Sequence, residues 1–323
     1  MRPLLTLKRT STVWRWLCVL LPLMATSCGN STDEVEPKPD KGIEQPEIIG
    51  PQATAEQALR LEVPALDKSN IFVEHCVEHE GKEVVNYCLE YNVKAHHSRW
   101  VAFRFDDITR QRNVSRSDEP FADDPLIPIA YQIGSNGFGT GYFDNDGIYH
   151  ELPRQKFDRG HLCASADRYL NREANEQTFY MSNMSPQISN FNSPFWSSFE
   201  GFVQNRGRDA SFADTLYVVK GGTIADGQTL GHVRRNNAAR VVVPQYYFMA
   251  LLRYKAGTYS ALAFWMEHRD YEATESLSNR AISERVVSID QLEALTGIDF
   301  FYNLPDAIEK EVESTVVKSD WGL

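Results

Sequence analysis

This chain has no apolar run long enough to cross a bilayer as a helix. Its run from Trp16 to Met24 falls well short of the ~20 residues a span requires. It has no block of basic residues either, so tight association with a duplex through many phosphates is not expected. The net charge is −11, and because residues 1–28 hold Arg2, Lys8, Arg9 and Arg15 but no acid, the remainder stands at −15. The four glycines between Gly134 and Gly141 lack the Lys-Ser/Thr ending of a phosphate-binding loop and read as a flexible surface excursion. There is no internal repeat. Cysteine is scarce: Cys18 and Cys28 lie near the N-terminus, which leaves Cys76, Cys88 and Cys163 for everything else.

What is present begins with a leader. A basic start, a short apolar run and then Ala25-Thr26-Ser27-Cys28 describe a secretory signal over residues 1–27 whose small residues precede a cysteine, as in a bacterial lipobox. Cys28 is therefore the expected lipidation site, and the expected location is outside the cytoplasm: membrane-anchored in the periplasm or on the cell surface, with simple secretion as the alternative. Residues 28–67 are acidic and spaced by prolines, with too little apolar surface to offset the entropy of ordering, and are expected to be a disordered tether. Residues 68–323 are long enough for one domain with a large core.

The chemistry-bearing residues crowd between Phe157 and Glu200. Asp158-Arg159-Gly160-His161 is followed by Ser182-Asn183-Met184-Ser185-Pro186-Gln187, then by Asn192, Trp196 and Glu200. A neutral imidazole accepts a proton from water near neutral pH, which suits His161 as a general base. Gly160 is expected to free space for a phosphate, and Arg159 to offer it a forked donor. Pro194 suits the first turn of a helix capped by Asn192 or Ser193, which places Asn192, Trp196 and Glu200 on one face. Asn192 and Glu200 are then ~12 Å apart along the axis. Asn192 is accordingly read as the direct metal ligand and Glu200 as the group holding metal-bound water; one neutral ligand suits hydrated Mg²⁺.

These residues resemble the DNA/RNA non-specific endonucleases, relatives of endonuclease G with a ββα-metal active site. The resemblance also takes in Arg116-Ser117-Asp118, Phe121 and Asp124 upstream and Leu295–Phe301 downstream, roughly residues 70 to 305. It implies His161 as base, Asn192 as metal ligand, Glu200 orienting water, Arg116 stabilising the phosphorane and Asn183 lining the site. It implies DNA and RNA as substrates and Mg²⁺ as cofactor, with Mn²⁺ as a substitute. The family usually carries an arginine four residues after the glutamate; here that position is Gln204, with Arg206 and Arg208 nearby. With the acidic balance, this keeps a second reading open: a weakened relative that binds nucleic acid or serves as a surface interaction protein. A phosphodiesterase of narrower range is a third. A local positive site is expected from Arg110, Arg112, Arg116, Arg154, Arg159 and Arg168. The oligomeric state is left open, a homodimer among the options.

The remaining pattern predicts an α+β fold: a mixed, mainly antiparallel sheet flanked by helices. Strands are expected at Arg99–Phe105, Thr215–Val219, Arg240–Val243, Tyr246–Tyr254 and Tyr259–Met266, with Ala256-Gly257 turning the last two into a hairpin. Ser288-Ile289-Asp290-Gln291 is a capping box opening a helix that Gly297 ends. Val77–Tyr87 reads as a hairpin around Gly81, across which Cys76 and Cys88 are expected to form a disulfide. A zinc site from His75, Cys76, His79 and Cys88 matches no common spacing. Cys163 is read as a small buried hydrophobe.

Overall fold

Three glycine-dependent reversals organise the chain. Glu80-Gly81 (φ 52° and 75°) and Ala256-Gly257 (φ 48° and 84°) take left-handed conformations that glycine adopts freely, and each closes an antiparallel hairpin. Gly297 (φ 65°) ends a helix whose start is the expected capping box, Ser288 with Gln291. The computed structural model describes residues 50–271 and 278–323.

In chain order the elements are α1 (Ala55–Ala58), β1 (Ile71–His79), β2 (Lys82–Asn92), β3 (His97–Phe105), β4 (Gly141–Phe143), β5 (Tyr149–Glu151), β6 (Phe157–His161) and α2 (Arg172–Gln177). There follow β7 (Met184–Ile188), α3 (Ser197–Arg208), β8 (Thr215–Gly222), β9 (Thr229–Arg234), β10 (Arg240–Pro244), β11 (Tyr246–Lys255) and β12 (Thr258–Glu267). The last are α4 (Asn279–Ser283), β13 (Val286–Val287), α5 (Ile289–Thr296) and α6 (Asp306–Ser314). The main sheet has seven strands in the order β1-β2-β3-β8-β11-β12-β13, every pairing antiparallel. A second sheet runs β10-β9-β4-β5, and β6 pairs with β7 alone. The α+β expectation holds, as do the expected strands and hairpins.

Strand alternation gives the main sheet two buried faces. Met249, Leu251, Leu262 and Phe264 pack under α3 with Phe199, Phe202 and Trp196. Phe248, Ala250, Leu252, Ala261 and Ala263 pack under α5 and α6 with Ile289, Leu292 and Val312. The candidate site sits over the first face.

Three expectations are corrected. The tether does not reach residue 67, because residues 50–67 are folded: Thr54 caps α1, Val63 is fully buried, and Glu62 pairs with Arg60 and Arg104 at 3.3 Å. Leu61, Val63 and Leu66 give this segment the apolar contacts that an acidic, proline-spaced reading overlooks. Cys76 and Cys88 are free thiols. A bulge between His75 and Cys76 sets the register so that Cys88 faces Glu74 and Cys76 faces Val85. His75 is engaged by Asp124 at 2.9 Å. The glycine loop is held, not loose: the Arg235 guanidinium donates to the carbonyls of Ile133, Gly134, Asn136 and Gly137 at 2.6–2.9 Å. The signal segment, Cys28 and the start of the tether lie outside the described residues.

Candidate active site

Alternation along β6 puts Phe157, Arg159 and His161 on one side of the strand and Asp158 and Gly160 on the other. A Cβ on Gly160 would lie 2.1 Å from Oε1 of Gln187 on β7. The glycine thus makes room for a buried glutamine, not for a phosphate, and its backbone is ordinary strand. Gln187 is fully buried, and neither end of its amide has a partner among the described residues.

His161 ends β6 between two aromatic rings. Phe121 is 5.9 Å away, and Phe179 meets it edge-on at 5.4 Å. Each ring carries an arginine: the Arg159 guanidinium lies 3.8 Å above Phe121 and that of Arg116 4.8 Å above Phe179. Burial pushes the His161 imidazole down to about 3, and the charges of Arg116, Lys220 and Arg159 act in the same direction against Asp167. The ring is therefore neutral at working pH, and its Nε2 is buried without a hydrogen-bond partner among the described residues. Asp124, singled out upstream, accepts hydrogen bonds from His75 and from the Ser182 hydroxyl.

The approach to α3 departs from expectation. Phe191–Trp196 forms a wide π-type turn, and Ser193 within it is extended (φ −144°, ψ 125°). No side chain caps this turn, so Asn192 is not in helical register with Glu200 and the axial estimate of their separation does not apply. Trp196 and Glu200 do share a face. The Trp196 indole donates to a Glu200 carboxylate oxygen at 3.0 Å and to the His161 carbonyl at 3.1 Å, tying the helix to β6. Asn192 Nδ2 donates to Asp158 Oδ2 at 3.2 Å, which leaves its side-chain oxygen free to face a ligand.

Asn183 does not line the site. It is fully buried, accepts from the Cys163 amide, and donates to the Cys163 and Thr178 carbonyls at 2.8 Å, holding the turn after His161. Cys163 is buried in the core as expected. Of the six candidate arginines, Arg116 and Arg159 flank His161. Arg168 is spent in the core between Phe103 and Phe105, and Arg110 is tied to the Asp106 and Ala213 carbonyls. Neither Arg206 nor Arg208 replaces the missing arginine: Arg206 binds the Trp321 carbonyl, Arg208 that of Ala166. Gln204 lines a surface hollow with Arg112, Tyr169 and Arg208.

From β8 a buried ion pair instead comes close enough to act on His161 and Glu200. Lys220 Nζ lies 2.8 Å from Asp167 Oδ2, and neither side chain has exposed surface. Burial pushes the Glu200 carboxyl up to about 7; Lys220 acts against that shift and Asp167 with it. The sequence reading missed this pair. Its signal was parity, since Lys220 shares the inward side of β8 with Leu216 and Val218.

Around β6, β7 and α3, a neutral imidazole thus lies between two arginine-bearing rings, with Glu200 tied to the His161 carbonyl through Trp196 and Asn192 tied to Asp158. The family model described as "DNA/RNA non-specific endonuclease" matches residues 68–307. The chain belongs to the DNA/RNA non-specific endonuclease family. Among relatives, Nuclease C1 of Cunninghamella echinulata is 25% identical over 227 residues, covering 68% of this chain and 81% of that one. A nuclease of Nostoc sp. is 28% identical over 236 residues, covering 71% and 76%. Mitochondrial endonuclease G of Homo sapiens is 26% identical over 226 residues, covering 68% of each. The fold also matches a crystal structure of the EndoG/EndoGI complex, with a TM-score of 0.53 at 20% identity over 73% of this chain and 89% of that one.

Within this endonuclease fold the donor set suits a hard cation. Asn192 offers an amide oxygen and its neighbour Asp158 a carboxylate, with no thiolate among them. Oxygen donors of this kind suit Mg²⁺, which keeps several of its waters.

Proposed function

We propose that this chain is a metal-dependent endonuclease that hydrolyses phosphodiester bonds of DNA and RNA without sequence specificity. The observation that carries this reading is the neutral His161, whose Nε2 is free of hydrogen bonds between two arginine-bearing rings. With its proton on Nδ1, His161 accepts a proton from an attacking water at Nε2. Arg116 and Arg159 supply forked donors to the phosphate, and Arg116 stabilises the charge that develops in the pentacovalent state. Stacking on Phe179 and Phe121 holds both guanidinium planes before substrate arrives, so little ordering is left for the moment of reaction.

Asn192 would hold hydrated Mg²⁺ through its side-chain oxygen, with Mn²⁺ able to substitute, and the cation would supply positive charge beside the reacting phosphate. Glu200, fixed by Trp196, orients water. No base-reading element is invoked, which fits a chain whose local arginines, not its overall charge, meet the substrate. The signal-like residues 1–27 and Cys28 support export and attachment to a membrane by lipid alone; no helix among the described residues is long and apolar enough to span one.

Incubation with supercoiled plasmid and with single-stranded RNA, with and without EDTA, tests the reading. Degradation of both that EDTA stops is the expected result. Activity on one polymer alone would instead support a phosphodiesterase of narrower range, and persistence in EDTA would remove the metal.

A further inference from the structure

The face of the main sheet opposite His161 is covered by α5 and α6, whose apolar residues Ile289, Leu292 and Val312 seal it. Where these two helices meet, three carboxylates converge. Asp290 and Glu293 stand three residues apart on α5 and so are neighbours on one of its faces. Glu313 comes from the last turn of α6. One oxygen from each lies within 4.8 Å of the others.

The deepest of the three is the most telling. Glu313 is 7% exposed, and its Oε1 is shut off from solvent without a hydrogen-bond donor among the described residues. A buried carboxylate is costly unless a charge or donor compensates it. Among the described residues, no lysine, arginine or histidine pairs with Asp290, Glu293 or Glu313. Asp299 and Glu309 add further negative charge. Glu293 Oε1 is held by the Phe300 amide at 2.8 Å, which fixes the α5 side of the cluster. Such a group of acids lacks one thing, a positive charge at its centre.

We propose that Asp290, Glu293 and Glu313 form a divalent-cation site of the calcium type that fastens α6 to α5, separate from the active centre. The ligands are all hard oxygens, with no imidazole or thiolate to favour a transition metal. Ca²⁺, with a flexible shell of six to eight oxygens, takes carboxylates from two helices without the near-ideal octahedron that Mg²⁺ demands. Asp290, on the exposed side, leaves room for waters to complete the shell. The ion would neutralise Glu313 and link the C-terminal helix to the helix before it.

The test is thermal unfolding of the full-length protein, stripped with EDTA and titrated with CaCl₂, in an Asn192→Ala background that removes the active-site ligand. Calcium at about a hundred times its dissociation constant should raise Tm by about 5 °C or more. Adding Glu313→Gln should abolish that shift and should not lower the Tm of the calcium-free protein, because the neutral amide fills the same space without a charge to bury. Should that variant fail to fold, the exposed Asp290→Asn provides the same comparison. Equilibrium dialysis should show one bound calcium fewer in either variant, and Glu313→Gln alone should cleave plasmid in Mg²⁺ at the unmodified rate. Absence of a calcium shift in the Asn192→Ala protein, or an equal shift with and without Glu313, would overturn the proposal. So would loss of plasmid cleavage on Glu313→Gln in a folded protein, since the site would then not be separate.

Discussion

Lys220 Nζ and Asp167 Oδ2 lie 2.8 Å apart with no exposed surface on either side chain, directly beneath the helix and strand that carry Glu200 and His161. Asp167 also accepts the Ala164 amide at 2.9 Å, so the pair anchors the turn that leaves β6. Removing one partner strands a buried charge. Lys220→Met should therefore destabilise the protein by about 3–5 kcal/mol, and Asp167→Asn added to it should recover part of that loss. Urea unfolding of Lys220→Met, Asp167→Asn and the double variant is the check; a double variant as unstable as the sum of the single changes would show that the pair is not coupled.

Asn192 and Glu200 differ in how they meet the site. Asn192 presents a free amide oxygen, whereas Glu200 is held by the Trp196 indole. Asn192→Ala should raise the Mg²⁺ concentration needed for half-maximal cleavage and lower the rate, with Glu200→Gln the milder change. Metal titrations of cleavage rate decide the order. A harsher Glu200→Gln would exchange the two roles.

Buried histidines set an acid limit to stability. His268 accepts the Ile188 amide at 2.8 Å and faces the Pro244 carbonyl at 2.8 Å, which fixes it as the neutral Nδ1–H form; burial pushes it down to about 4. The unfolded value is about 6.5, so the unfolded chain takes up protons first as pH falls. The contribution of His268 is complete above about pH 6.5 and is lost as pH falls toward 4, up to about 3 kcal/mol. His97, bonded to Ser185, behaves alike. Urea midpoints measured from pH 7.5 to 4.5 should fall more steeply for the unmodified protein than for His268→Gln. Parallel curves would show that His268 does not carry this dependence.

Cys28→Ser should move the nuclease from the membrane fraction to the soluble fraction without inactivating it, because two acyl chains anchor a protein durably and nothing else here is proposed to touch the bilayer. Fractionation with a nuclease assay on each pool measures this. Equal soluble activity for both forms would point to ordinary secretion.

Local signals carried much of the fold. The turns at Gly81 and Gly257, the Ser288 capping box and the alternation of β8, β11 and β12 each state their structure within a few residues, and the structure agrees. What failed depended on register or on distant neighbours. The Cys76–Cys88 bridge fell to a single bulge, and the continuous helix through Asn192 fell to the extended Ser193. Asn183 reads as a site residue until the loop it holds is visible. Lys220 lies twenty residues beyond Glu200 in sequence, and only the sheet brings it under α3. Net charge could not show a local site of this kind either, since two arginines stacked beside one histidine leave no trace in it.

The central claim is that His161 is the base. The decisive measurement is the single-turnover cleavage rate of plasmid in Mg²⁺ by His161→Ala beside the unmodified protein, with folding checked by thermal unfolding. The variant should fold, bind metal and cleave about 10²–10⁴ times more slowly. A folded variant that cleaves at a near-native rate would contradict the account.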